Sequence, residues 1–169
     1  AADTDNISND GRDVRCGGGR SVGGGQITFP ATQIPSTNAN TLDDYEEGDW
    51  TPSVGGNATY TFQVGRYIKI GKKVTVWGRL QILVIGSGST TTILGLPFVP
   101  ANTIHSPGSV GYFAALAINV VFLGVYVVQN SPTIKFVSLA AAGATVTDSP
   151  ALFQNAARVD FTVTYEAAE

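Results

Sequence analysis

A single cysteine, Cys16, excludes a disulfide within the chain and any zinc site assembled from paired thiolates. It lies among glycines and reads as an incidental thiol, the alternative being a bridge to another chain. The single histidine, His105, stands in an apparent loop between Ile104 and Ser106-Pro107. With no second imidazole for a metal or a proton relay, it reads as a surface or packing residue rather than a general base. Charge is scarce as well: Asp, Glu, Lys and Arg make up 14% of the residues, against roughly 25% in ordinary soluble domains. Part of the surface is therefore expected to be covered by partner chains. A net charge of -3 and a pI near 5.0 leave no concentrated basic surface, which excludes general attraction to nucleic acid or anionic lipid. The most apolar stretch, residues 110–128, is interrupted by Gly111, Asn119 and Gly124 and reads as a pair of buried strands, so no membrane insertion is expected. The first residues show no charged segment leading into an apolar one, so no secretory leader is expected there, and an opening without methionine suits a fragment.

What is abundant points to pleated structure. Twenty glycines, with many Thr, Val and Ser, favour turns and strands over helices. The length of 169 residues suits one domain plus an arm. Residues 1–41 read as an extended arm, because the Asp- and Asn-rich start and the glycine runs 17–19 and 23–25 cannot bury enough apolar area to offset their ordering entropy. Within the arm, Ile27-Thr28-Phe29 suggests a short strand. Residues 42–169 read as an antiparallel β-sandwich, jelly-roll-like. Along Lys73 to Ile82, Val74, Val76, Leu80 and Ile82 share one face while Thr75, Trp77, Arg79 and Gln81 share the other. The preceding Tyr67-Ile68-Lys69-Ile70 and the Gly71-Lys72 pair complete a hairpin with a II′ turn. Further strands are expected at 90–94, 109–116, 119–128, 133–139 and 158–165, with one helical turn at 151–157.

Motifs for catalysis are missing. The Gly17 to Gly25 run lacks Gly-Lys-Ser/Thr and its strand and helix context, so it does not cradle phosphate. Asp43, Asp44, Glu46, Glu47 and Asp49 form the densest polar feature. Such a cluster could hold a hard cation, but it reads first as a solvated acidic turn pairing with Arg or Lys of the body. Sequence neighbours do not supply the opposed carboxylates of a glycosidase. No cofactor and no enzymatic activity are expected. Flat rings with polar tips suit stacking on sugars, which directs attention to Trp50, Tyr60, Tyr67, Trp77, Tyr112 and Tyr126. The candidate ligand-binding residues are Tyr67, Trp77, Arg79 and Tyr112.

Four blocks then carry a resemblance: residues 27–33 (ITFPATQ), 40–52 (NTLDDYEEGDWTP), 65–71 (GRYIKIG) and 95–98 (GLPF). In order and spacing they are similar to the carboxy-terminal region of phage tail fibre and tailspike-like proteins. Asp49 departs from that pattern, in which Thr is common, and the chain from Ala101 onward matches weakly. The resemblance implies a homotrimeric β-sandwich in a virion appendage, with the matching blocks as scaffold and loops as a recognition surface. The expected role is attachment to host-surface polysaccharide, with the arm joining other virion proteins. The structural alternative is a head fibre, capsid decoration protein or trimerisation cap.

Overall fold

The computed structural model describes residues 13–16, 20–23, 26–27, 29, 42 and 44–168. The chain divides into two compact units, Ala1–Tyr45 and Glu46–Glu169. In the first, β1 (Asp13–Cys16), β2 (Arg20–Gly23) and β3 (Gln26–Ile27) form a small antiparallel sheet. Of the expected strand 27–29, Ile27 belongs to β3, while Thr28, the path of residues 30–41 and any partner of the arm lie outside the described residues.

The second unit is built from β4 (Tyr45–Trp50), β5 (Thr59–Ile70), β6 (Lys73–Val84), β7 (Thr92–Leu94), β8 (Ser106–Ala114), β9 (Phe122–Val127), β10 (Thr133–Leu139), β11 (Thr147–Asp148) and β12 (Arg158–Glu166). They make one antiparallel sheet in the order β11-β10-β9-β8-β12-β6-β5-β4, with β7 added along the start of β10. The segment after β4 returns to this far margin: Ser53 and Leu94 exchange backbone hydrogen bonds of 3.1 and 2.7 Å. The sheet thus curls into a half-barrel.

The all-β, antiparallel class agrees with the sequence reading. The last strand makes the ladder continuous: β12 pairs with β6 on one side and β8 on the other. No helix occurs among the described residues. The helical turn expected at 151–157 is replaced by an irregular segment, because Leu152 and Phe153 both donate their N–H groups to the Thr90 carbonyl and Ala156 adopts a left-handed φ of 66°.

Alternation does the rest. Val74, Val76, Leu80 and Ile82 are buried as the pattern of β6 requires, and β12 adds Val159, Phe161, Val163 and Tyr165 to the same core. Each fully buried side chain of this kind is worth about 1.5–3 kcal/mol of transfer free energy. The β5–β6 hairpin has Ile70 opposite Lys73, and Gly71 has a φ of 54° while Lys72 does not cross to positive φ, the sign pattern of a II′ turn. The stretch 110–128 departs from expectation. Only its second strand, β9, is buried; β8 is largely exposed, and residues 115–121 form an open loop.

Candidate functional site

The pleat that buries Val76 and Leu80 sends Trp77 and Arg79 to the opposite, outer face of the sheet. Register places their neighbours. Val64, Arg79, Asp160 and Tyr112 form one row across β5, β6, β12 and β8, and Arg66, Trp77 and Thr162 form the next. With strands about 4.8 Å apart, Tyr112 stands two strands from Arg79. Trp77 is 43% and Tyr112 48% exposed, so both rings meet solvent.

Charges on this face pair selectively. Arg158 grips Asp160 with both Nε (3.0 Å) and a terminal nitrogen, and its guanidinium lies 4.5 Å from the centre of the Tyr112 ring. The hydrogen bonds to Asp160 raise the Arg158 pKa further, so this guanidinium stays charged. Arg66 pairs with Asp49 at 3.2 Å, an exposed contact that contributes little to stability. Among the described residues Arg79 has neither a carboxylate partner nor a side-chain hydrogen bond. Its guanidinium rests 4.1 Å from the Phe62 ring centre, and its Nε is buried without a hydrogen-bond acceptor.

Two depressions border Trp77. One, of about 250 Å³, is walled by Val64, Arg66, Trp77, Arg79 and Asp160 and floored by Gly78 and Phe161. The other, of about 430 Å³, runs along Glu47, Gly48 and Asp49 of β4 to Arg66, Tyr67 and Ile68 of β5. Both are shallow and open, suited to a chain laid across a surface rather than a small molecule enclosed in a cleft.

Trp77, Arg79 and Tyr112 of the expected site therefore share one face. Tyr67 does not. Its register partner is the buried Val76, and its ring packs edge-on against Phe98 at 5.3 Å. Burial, and next the Glu46 charge, raise its phenol pKa, partly offset by Lys69. Tyr67 also lines the larger depression. Trp50 is core, with its indole N–H donating to the carbonyls of Arg66 and Trp77 at 3.2 and 3.1 Å. Tyr60 is tied inward through hydrogen bonds with Ser53 Oγ and the Val54 N–H, both 2.9 Å.

The acidic segment is not a turn but strand β4, and the pleat divides its carboxylates. Glu46 reaches the buried Lys69 at 3.8 Å, whereas Asp49 meets Arg66 on the outer face. The expected pairing with Arg and Lys is present. Asp44 is buried, and Asp43 lies outside the described residues. Among the described residues no group of three His, Cys, Asp or Glu converges on a metal position. His105 is exposed and stacks on Tyr126 at 5.2 Å, whose hydroxyl donates to Asp148 at 2.7 Å.

Arg158 was not singled out in the sequence, and Asp160 reads there only as one of the scattered acids, although both lie on the polar side of a strand whose other side, Val159, Phe161 and Val163, is buried. Phe62 and Val64 escaped too, because β5 bulges between Thr59 and Phe62 and its alternation is broken there.

No family model and no curated protein matches the chain. A solved structure does: the crystal structure of the Dettilon tailspike protein (gp208) superposes on 73% of this chain with a TM-score of 0.59 at 16% sequence identity. The matched part is 24% of that protein's length. At this identity the likeness shows the fold alone: this chain has a tailspike-like, curled antiparallel β architecture.

Proposed function

We propose that the chain is a phage virion attachment module, the tip of a tail fibre or similar appendage, which works as a homotrimer and holds host-surface polysaccharide without cleaving it. The observation that carries this reading is the outer face itself. An exposed indole and an exposed phenol share a face with three arginines and two carboxylates, and such amphipathic rings beside polar forks suit sugar recognition. The depressions are shallow, so single contacts are weak, and three copies on one axis supply avidity. The fold shared with a tailspike protein supports a virion appendage.

Apolar surface supports assembly. Ile104, Val121 and Phe122 are more than half exposed, a burden that sister copies relieve by covering them. The same exposure favours the structural alternative, a capsid decoration protein, head fibre or trimerisation cap without receptor contact. The two readings part in one experiment. Labelled protein is added to susceptible cells, to resistant mutants and to cells in the presence of their own purified polysaccharide. Attachment that is competed by the polysaccharide and lost on resistant mutants is expected; equal retention on both cell types rejects recognition. New reducing ends in the incubated polysaccharide would reject the non-cleaving part.

A further inference from the structure

Among the described residues, Arg79 is the arginine of the outer face that no carboxylate pairs with. Arg158 is committed to Asp160 through two hydrogen bonds, and Arg66 to Asp49. Asp160 is the direct cross-strand neighbour of Arg79, yet both its oxygens are turned to Arg158. The Arg79 Nε is the one buried side-chain polar atom without a hydrogen-bond partner among the described residues. Leaving a buried donor of a charged group unmatched is costly, so this one calls for an acceptor from outside the chain, a water or a ligand. The Phe62 ring, 4.1 Å from the guanidinium carbon, adds cation–π attraction. The guanidinium stands at the wall of the 250 Å³ depression, which the Trp77 ring also lines.

We infer that Arg79 is an anion-binding residue and that its ligand is a sugar bearing a carboxylate, of the uronic or sialic acid class, with the sugar's C–H face on Trp77 and its carboxylate on the Arg79 guanidinium. This rests on the glycan-binding reading above and narrows its ligand class. The fit is one of charge: two arginine–carboxylate pairs are closed within the chain, and one guanidinium is left for a carboxylate from outside. A carboxylate matches a guanidinium by two parallel hydrogen bonds, which a neutral hydroxymethyl group cannot make.

The test is a titration of the full chain with galacturonate, glucuronate and N-acetylneuraminate, against galactose, the methyl ester of galacturonate and inorganic phosphate at equal ionic strength. The readouts are the Arg79 Nε–H and Trp77 indole N–H resonances, with the buried Trp50 indole as the internal control. At least one acidic sugar is expected to move both reporters, binding about tenfold more tightly than its neutral counterpart, the scale of a charge-assisted pair at a partly open site. Arg79→Gln, with an unchanged melting temperature, abolishes that preference, and Arg79→Lys restores part of it. Equal response to galactose and galacturonate, or no response to any acidic sugar, overturns the inference. A response to phosphate equal to that of galacturonate shows a reader of charge alone and overturns it too. Loss of oligomer mass in Arg79→Gln without any change in sugar response assigns the guanidinium to a subunit contact and also overturns it. If cells are still held through a neutral polysaccharide while Arg79 stays silent, attachment stands and this inference alone falls.

Discussion

Gly65 and Gly78 face each other across the β5–β6 hairpin, and the space left by their two missing side chains is filled by aromatic rings. A Cβ on Gly65 would lie 2.4 Å from Trp50 Nε1, and one on Gly78 would lie 2.4 Å from Phe161 Cζ. Trp50 and Phe161 meet edge-on at 6.3 Å above them. The pair of glycines therefore seats the floor beneath the recognition face. Gly78→Ala forces Phe161 off its position and is expected to cost about 1–3 kcal/mol, the usual scale of overpacking. Urea unfolding should show this as a lower midpoint at an unchanged slope.

Tyr165 anchors the end of β12. It is buried and donates its hydroxyl to the Phe98 carbonyl at 3.0 Å. Tyr165→Phe leaves that acceptor unmatched and should cost about 1–3 kcal/mol at neutral pH. Burial raises the phenol's pKa well above its ordinary value of 10.0, outweighing the hydrogen bond to Phe98, which lowers it. A raised pKa means the stability it lends is complete below that ordinary value and declines as pH rises beyond it. Alkaline melting curves of wild type and Tyr165→Phe should therefore converge as pH increases.

Asp148 has the opposite sign. The Tyr126 hydroxyl, above all, holds its carboxyl below the ordinary 3.8, against a smaller opposing effect of burial. Its contribution is present above that value and is lost as pH falls through the lowered one. Because Asp148 is exposed, the effect is small. Wild type should lose slightly more melting temperature than Tyr126→Phe when the solution is acidified from about pH 5 to about pH 2.

How much of this was legible follows from what each strand faces. In β6 and β12 a single buried face imposes strict alternation, and the side on which Trp77 and Arg79 sit could be read directly. The curl could not, because it depends on β12 entering between β6 and β8, and strand order leaves no trace in local pattern. Tyr67, as the partner of Val76, belongs to the inner face while also lining the larger depression, a placement the sequence does not show because the bulges between Thr59 and Phe62 break the alternation of β5. Asp43 to Asp49 read as a turn because its composition is that of a turn, while pairing with β5 makes most of it a strand.

Assembly is testable without a receptor. Sedimentation equilibrium of the full chain should give three times the monomer mass. Replacing the exposed Val121 and Phe122 by Ser is expected to shift that mass downward if these side chains lie between copies; a monomer at all concentrations in the wild type would reject the trimer.

The account stands most directly on Trp77, which is exposed, borders both depressions and belongs to no core contact that the fold needs. The decisive measurement is adsorption of labelled Trp77→Ala to susceptible cells beside wild type of equal melting temperature and oligomer mass. Loss of an aromatic anchor worth about 2 kcal/mol, amplified across three copies, predicts that adsorption falls at least tenfold. Adsorption equal to wild type would contradict the assignment of this face to host attachment.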